Sequence, residues 1–304
     1  LFYIMNTEYD SNGNVNMDCF DVLNIFTESK YYYKNILVYP TQNYQDVSFK
    51  DNVSYIIWLT KSNRENLFNK DPIREEHIWK NVEWGKRSKN YHSKGKDPGN
   101  VWIPTEDDGK GNITKHILLT KDNILKRLID MSECHEDYII LENNSENTTI
   151  EKTKNNIERK KDINKKNIKE NTVYFGTSEN MECLEDGSIN QAITSPPYWN
   201  LKNYFKEGQI GQESYEEYLS RLGDVFSETY KKLKDDGSLW ININLRRRQG
   251  KVILNPGDIV DLCKSIGYFY KGIIIWHKSS GIPVGDSNLV DRYEVVFIFP
   301  KGED

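Results

Sequence analysis

Over residues 171–304 short apolar runs alternate with amphipathic stretches, and the alternation reads as strand and helix in turn. Strands are predicted at 172–175, 191–194 and 238–244, with helices near 180–184, 215–233 and 256–265. Two more buried strand patterns follow, the second being VVFIFPK at 295–301. Such an order predicts an α/β fold with a doubly wound, mostly parallel sheet and ligand sites at the carboxyl ends of its strands. The first part of the chain carries a related pattern. DVLNIFTESKYYYKNILVY at 21–39 runs in register with DIVDLCKSIGYFYKGIIIW at 258–276, so that Asp21, Tyr33 and Lys34 fall on Asp258, Tyr270 and Lys271. Each copy reads as an amphipathic helix, an aromatic turn and a buried strand, and each is followed by a second strand, YIIWLTK at 55–61 or VVFIFPK at 295–301. The chain is therefore read as two partial units of one layered fold; coincidence between αβ units of like hydrophobic pattern is the alternative.

Between the two units lies EKTKNNIERKKDINKKNIKE at 151–170, with eight Lys/Arg, four acids and no aromatic residue. It cannot bury a core of its own, and reads as a solvated linker or, alternatively, as a basic arm tracking phosphates. The domains expected are thus 1–150 and 171–304, joined by 151–170.

Composition narrows the classes. The 304 residues carry 41 Lys+Arg against 46 Asp+Glu, a net charge of -5, so a uniformly basic nucleic-acid coat is excluded and any polyanion must meet a local patch. A hydrophobic fraction of 37% is low, but 19 Tyr, 11 Phe and 7 Trp add apolar area. Cys19, Cys134, Cys183 and Cys263 stand far apart, which disfavours a disulfide framework or a zinc site, and no metal is expected. No apolar run approaches the roughly 20 residues of a membrane span, so a soluble intracellular protein is expected. A first residue Leu1 and an end at Asp304, just after a strand pattern, read as a piece of a longer polypeptide.

The stretch with the most chemistry is AITSPPYWNLKNY at 192–204. Pro196 and Pro197 remove two backbone donors and fix φ, so the chain leaves the sheet stiffly at the strand end. The hydroxyl of Ser195, the carbonyl before a nitrogen that cannot donate, and the face of Tyr198 would then meet at one small site. That set suits an exocyclic amine on a planar ring: two acceptors hold its hydrogens and favour the pyramidal, attacking nitrogen, while the aromatic ring stacks on the base. A Pro-Pro turn with a packing tyrosine is the plainer reading of the tetrad alone.

The wider sequence resembles the amino-directed DNA methyltransferases, cytosine-N4 and adenine-N6. Their catalytic motif is a strand followed by Ser/Asp/Asn-Pro-Pro-Tyr; here TSPPYW at 194–199 is followed by LKNY at 201–204, GQIGQE at 208–213, KKLKDDGSLWINI at 231–243 and IIIWHKS at 273–279, as in one subgroup. YIIWLTKSNRENLFNKDPIRE at 55–75, KGKDPGNVWIPT at 94–105 and LTKDNILKRLIDMS at 119–132 resemble the later half of the family's beta-type order, so the chain looks like the tail of one methyltransferase unit joined to the head of another. The resemblance implies a Rossmann-like methyltransferase sheet, S-adenosylmethionine as cofactor, double-stranded DNA as substrate and a prokaryotic, cytoplasmic restriction–modification setting with a restriction enzyme or a second methyltransferase polypeptide as partner. It implies that Ser195 and Pro196, with Pro197, hold the amine and that Tyr198 stacks on a flipped base, with Trp199 lining the pocket. Serine in this motif favours cytosine in the family.

The departures concern the cofactor. The family's loop Asp-Pro-Phe-x-Gly-Ser-Gly would fall after Met131, where YIILENNSENTT at 138–149 has no glycine; Glu142 takes the acidic place, and Ser145 and Asn147 put side chains where backbone should pass the methionine. The second unit reaches Asp304 before its own loop would appear. Gly176 and Thr177 stand where the family has a Gly-Asp cofactor contact. DNA contacts are expected from WGKRSKNYHSKGK at 84–96, where Lys86, Arg87, Lys89, His92, Lys94 and Lys96 surround Tyr91, and from Arg246, Arg247 and Arg248 with Lys251; solvated loops are the alternative for both. His116 and His277 lack an orienting partner in sequence and are read as structural. The reading that follows is a DNA methyltransferase, with a cofactor-deficient DNA-binding or specificity subunit, or an incomplete fragment needing a partner, as the alternatives.

Overall fold

The computed structural model describes residues 1–29, 31–41, 53–62, 68–77, 92–108, 112–132, 174, 176–248, 251–278, 281 and 288–302. The first half begins with β1 (Phe2–Asn6), the short hairpin β2 (Glu8–Tyr9) and β3 (Val15–Met17), helix α1 (Cys19–Thr27), and strands β4 (Tyr32–Pro40) and β5 (Val53–Thr60). After them come β6 (Thr105–Asp107), β7 (Ile113–His116) and helix α2 (Lys121–Ser132). The second half runs through β8 (Ile189–Thr194), α3 (Tyr215–Lys232), β9 (Leu233–Asn242), the hairpin β10 (Arg246–Arg248) and β11 (Lys251–Leu254), α4 (Pro256–Ile266), β12 (Gly272–His277) and β13 (Tyr293–Pro300).

Local chemistry sets the helix ends. Ser214 caps α3 by accepting from Glu217 N, and Tyr218, Leu222 and Phe226, four residues apart, bury one face of that helix. Asn255 caps α4 ahead of Pro256 in its first turn, and Gly267 ends it at φ 116, where a Cβ is disfavoured. In α1 the side chain of Asp18 accepts from Phe20 N and Asp21 N while Asp21 bonds back to Asp18 N. The predicted helix near 180–184 is a run of turns instead. Asn180 Oδ1 accepts from Glu182 N at 3.1 Å, a local bond that competes with helix formation.

The second half holds the expected α/β, Rossmann-like sheet, in the order β12-β13-β9-β8. β8 and β9 are parallel because α3 carries the chain back between them. β9/β13 and β13/β12 are antiparallel, so the expectation of a mostly parallel sheet is corrected to a mixed one among the described strands. No helix among the described residues separates β12 from β13, and a parallel neighbour needs such a crossover.

The repeat seen in sequence extends through six elements. β1-β5-β4 reproduces β9-β13-β12 in order and direction. The hairpins β2–β3 and β10–β11 match down to a register shift at the same place, Glu8/Tyr9 in one and Arg246/Arg247 in the other. Asp18 and Asn255 cap the equivalent helices α1 and α4. The two halves share one apolar core, in which Phe20, Leu23, Ile36 and Ile57 meet Phe226, Ile259, Tyr270 and Phe297.

Their junction has an isologous pattern. Equivalent positions Phe20 and Gly257 face each other, and a Cβ at Gly257 would lie 3.3 Å from Phe20 Cβ. Val15 N donates to Tyr270 O at 2.7 Å, Tyr270 Oη to Asp18 at 2.7 Å, and Asn255 Nδ2 reaches Asn24 and Phe20 O across the same line. The buried Asn35 and Asn100 join the exposed Asp291 in a polar set, with bonds of 2.9 and 3.1 Å from Asn100 Nδ2 to Asn35 and Asp291. The linker at 151–170, the loop at 138–149 and the strand expected at 172–175, Tyr174 excepted, lie outside the described residues. No helix among the described residues is long and apolar enough to cross a membrane.

Candidate active site

The sheet delivers β8 to the edge at which β9 and β12 also end and β13 begins. Ser195 follows Thr194 directly and is exposed, while Pro196 is buried. The loop between them and Gly211 is fixed at successive points. The buried Tyr218 of α3 donates to Pro197 O at 2.9 Å, and Asn244 N, just past β9, donates to Tyr198 Oη at 2.9 Å. Trp199 Nε1 donates to Glu213 O at 2.9 Å and sets its ring edge-on to Tyr215 at 5.1 Å. Arg246 donates to Trp199 O. The chain turns sharply at Asn200, whose φ of 49 is tolerated by a short polar side chain and whose N–H meets Gly211 O at 2.7 Å.

Burial, reinforced by the charge of Glu294, pushes the Tyr198 phenol up to about 12, so the ring stays neutral at physiological pH. Its hydroxyl serves Asn244, which fixes the ring in place. Lys278 pairs with Glu294 and lies 5.7 Å from the centre of the exposed Trp276 ring, on the same edge. His277 is held below the usual imidazole range by desolvation and then by the charges of Arg292, Lys96 and His116. It is therefore a neutral group at neutral pH. Beyond the turn at Asn200, Tyr204 and Phe205 stand in the open, Phe205 at 90% exposure. Gln209 holds that loop, accepting from Tyr204 N at 2.7 Å and donating to Lys202 O at 2.8 Å.

The structure brings Ser195, Pro196, Pro197 and Tyr198 together as one preset loop. It places Gly176 and Thr177 on a neighbouring turn tied to the same region. Thr177 Oγ1 bonds Glu179 at 2.9 Å, and Arg221 grips Glu179 at 2.8 and 3.0 Å while donating to Gly208 O at 2.8 Å. A Cβ at Gly176 would meet nothing within 4 Å, so that backbone is open, and the Thr177 hydroxyl is engaged by Glu179. Of the residues expected to contact DNA, Lys86, Arg87, Lys89 and Tyr91 lie outside the described residues. Lys94 pairs with Asp71, and Lys96, lowered in pKa by burial and then by Arg292, is half-buried in the first half. The arginine cluster is not a solvent patch. Arg246 clamps the loop at Trp199, and Arg247 donates to Lys34 O in the other half with its guanidinium 5.7 Å from the Tyr33 ring. Arg248 alone of the three is exposed.

Tyr218, Asn244 and Arg246 are the loop's supports; sequence reading missed the first two and expected Arg246 at DNA, because each bond spans tens of residues and leaves no local pattern. Arg292, buried, joins the edge to the first half: it donates to Asp97 O at 2.9 Å and packs so closely on Gly99 that a Cβ there would lie 2.6 Å from its Cδ. No cluster of three or more His, Cys, Asp or Glu among the described residues is placed to hold a metal.

Residues 189–304, which span this loop and the whole mixed sheet, match the N6/N4 methyltransferase family model, described as DNA methylase. The chain is 40% identical over 133 residues to the type II methyltransferase M.MwoI of Methanothermobacter wolfeii, covering 41% of this chain and 20% of that protein. To the type II methyltransferase M.SfiI of Streptomyces fimbriatus it is 29% identical over 153 residues, 43% of this chain and 36% of the other. The chain thus spans well under half the length of either relative. A DNA modification methylase of Thermus thermophilus, solved in complex with S-adenosyl-L-methionine, aligns over 40% of this chain and 51% of its own with 28% identity and a TM-score of 0.31. By its family match and these relatives, residues 189–304 of the chain are similar to the amino-directed DNA methyltransferases.

Proposed function

We propose that the second half forms the target-base site of a type II DNA methyltransferase acting on an exocyclic amine, with cytosine N4 favoured over adenine N6. The observation that carries this reading is the loop itself: an exposed Ser195 leads into Pro196, Pro197 and Tyr198, with the Pro197 carbonyl held by Tyr218 and the Tyr198 hydroxyl by Asn244 before any substrate arrives. In this reading the Ser195 hydroxyl and the carbonyl preceding Pro197 accept the two amine hydrogens. That drains the lone pair back from the ring onto nitrogen and aims it outward. Tyr198 stacks on the flipped base, and its neutral phenol adds no charge against the ring. The exposed Tyr204 and Phe205 offer a stacking surface beside the loop, and Arg248 and Lys251 face solvent as phosphate partners. S-adenosylmethionine supplies an electrophilic methyl group when bound. The relatives' names, type II methyltransferases, support double-stranded DNA as substrate and a restriction enzyme of the same system as partner.

A second reading rests on the glycine-free 138–149: a DNA-binding subunit that relies on another polypeptide for the cofactor. Two measurements separate the readings. Nucleoside mass spectrometry of DNA from a methylation-deficient host expressing the chain should show N4-methylcytosine that disappears with Ser195→Ala. Calorimetric titration with S-adenosylmethionine should show micromolar binding. Absence of both, with DNA binding retained, supports the second reading; N6-methyladenine alone overturns the choice of base.

A further inference from the structure

The two halves share one strand register, yet the same positions are buried in one and open in the other. Through their pairings with β5 and β13, Tyr3 and Met5 of β1 correspond to Ile241 and Ile243, and Leu1, bonded to Leu59, corresponds to Leu239 opposite Phe299. Leu1 is 54% and Tyr3 42% exposed, whereas Leu239 is 1% and Ile241 and Ile243 are 0% exposed. The helices differ in the same way. Ile25 of α1 is 64% exposed; its counterpart Leu262 lies so close to α3 that a Cβ on Gly223 would come within 3.2 Å of it. Tyr31 is half-buried, edge-on to Phe26, whereas its counterpart Tyr268 is 3% exposed, donates to Phe226 O and meets the Tyr230 ring edge-on at 4.9 Å. In every pair, the second half is covered by β8 and α3, and the described residues of the first half lack that cover.

We infer that the open face of the first half, formed by Leu1, Tyr3, Met5, Ile25, Phe26 and Tyr31, docks a strand–helix segment of the β8–α3 kind supplied from outside residues 1–304. The repeat states what fits. The strand would run parallel to β1, as β8 does to β9. The helix would be amphipathic, with a small residue opposite Ile25 where Gly223 faces Leu262, and aromatic side chains over Tyr31 where Phe226 and Tyr230 meet Tyr268. The exposed apolar side chains explain why such a face needs a cover. Ladder geometry supplies further attraction: because Leu1 and Leu59 exchange both bonds, the amides of Phe2 and Ile4 point toward the open edge.

The test appends residues 188–238 of this chain directly before Leu1, restoring in the first half the connection that the second half has. Amide exchange at Phe2 and Ile4 should slow at least about 100-fold, and the appended helix should become protected. An Ile25→Asp substitution should abolish that protection in the extended chain while leaving β9 protection unchanged in both chains. An appended segment that exchanges like unfolded chain, with Phe2 and Ile4 unchanged, overturns the inference. So does protection indifferent to Ile25→Asp. Sedimentation of the unmodified chain covers the other occupant: a dimer broken by Ile25→Asp would mean that a second copy, not a strand–helix segment, occupies this face.

Discussion

The first and second halves of this molecule have the same strand order, matching hairpins with the same bulge, and equivalent capped helices, but among the described residues only the second carries the Ser195–Tyr198 loop. The difference is β8, α3 and the loop between them. In the second half, Asn244 at the end of β9 uses its N–H to hold Tyr198; the corresponding Asn6 at the end of β1 instead meets Ser54 of the neighbouring strand. On the proposed function, a shared scaffold would carry a target-base site where a strand–Pro-Pro-Tyr–helix segment is added, which is the sense in which function is grafted on a fold.

The largest effects should come from breaking that addition. Ser195→Ala should lower methyl transfer by about 100-fold or more by removing an acceptor needed as the amine becomes pyramidal, with an unchanged unfolding curve. Asn6→Ala, in the half without the loop, should leave the rate alone. Single-turnover kinetics on DNA reads both.

Next in size is the contrast in burial. Tyr268→Ala removes a buried ring with a bonded hydroxyl and should cost about 3 kcal/mol or more, whereas Tyr31→Ala should cost about 1 kcal/mol, both read by urea unfolding. Equal costs would break the comparison.

The junction gives a pH-dependent test. Burial, followed by the charge of Asp21, raises the Asp18 carboxyl from 3.8 to about 6, against the opposing bond from Tyr270. The folded state therefore holds a proton that the unfolded chain has lost between about pH 4 and 6, and stability falls as pH rises through that window. The change is on the order of 2–3 kcal/mol. Asp18→Asn, which places the residue type of Asn255 in the equivalent cap, should flatten this slope. Smallest is Arg248→Ala: the exposed guanidinium should account for about one unit of the slope of log K against log salt in DNA binding.

How much of this was readable from sequence follows from how local each signal is. The loop proposed as catalytic was legible because Ser195 to Tyr198 are contiguous and two prolines fix their path. The αβ repeat was legible because α1 and α4 keep the same apolar spacing. The matching hairpins were not: Glu8-Tyr9 and Arg246-Arg247 share a bulge and no chemistry. Arg246 and Arg247 read as DNA contacts, with a solvated loop as the alternative, because their acceptors, Trp199 O and Lys34 O, are distant in the chain. The mixed sheet escaped for a related reason, since an apolar run does not reveal the direction of its neighbour.

The most direct test of two halves on one scaffold, only one of them covered, is residue-resolved amide exchange on the unmodified chain. Phe2 and Ile4 sit on the open edge of β1, while their counterparts Trp240 and Asn242 in β9 lie between β13 and β8. The expected result is strong protection at Trp240 and Asn242 together with near-unprotected exchange at Phe2 and Ile4, while Tyr3 and Met5, paired with β5, remain slow. Equal protection at Ile4 and Asn242 would contradict it.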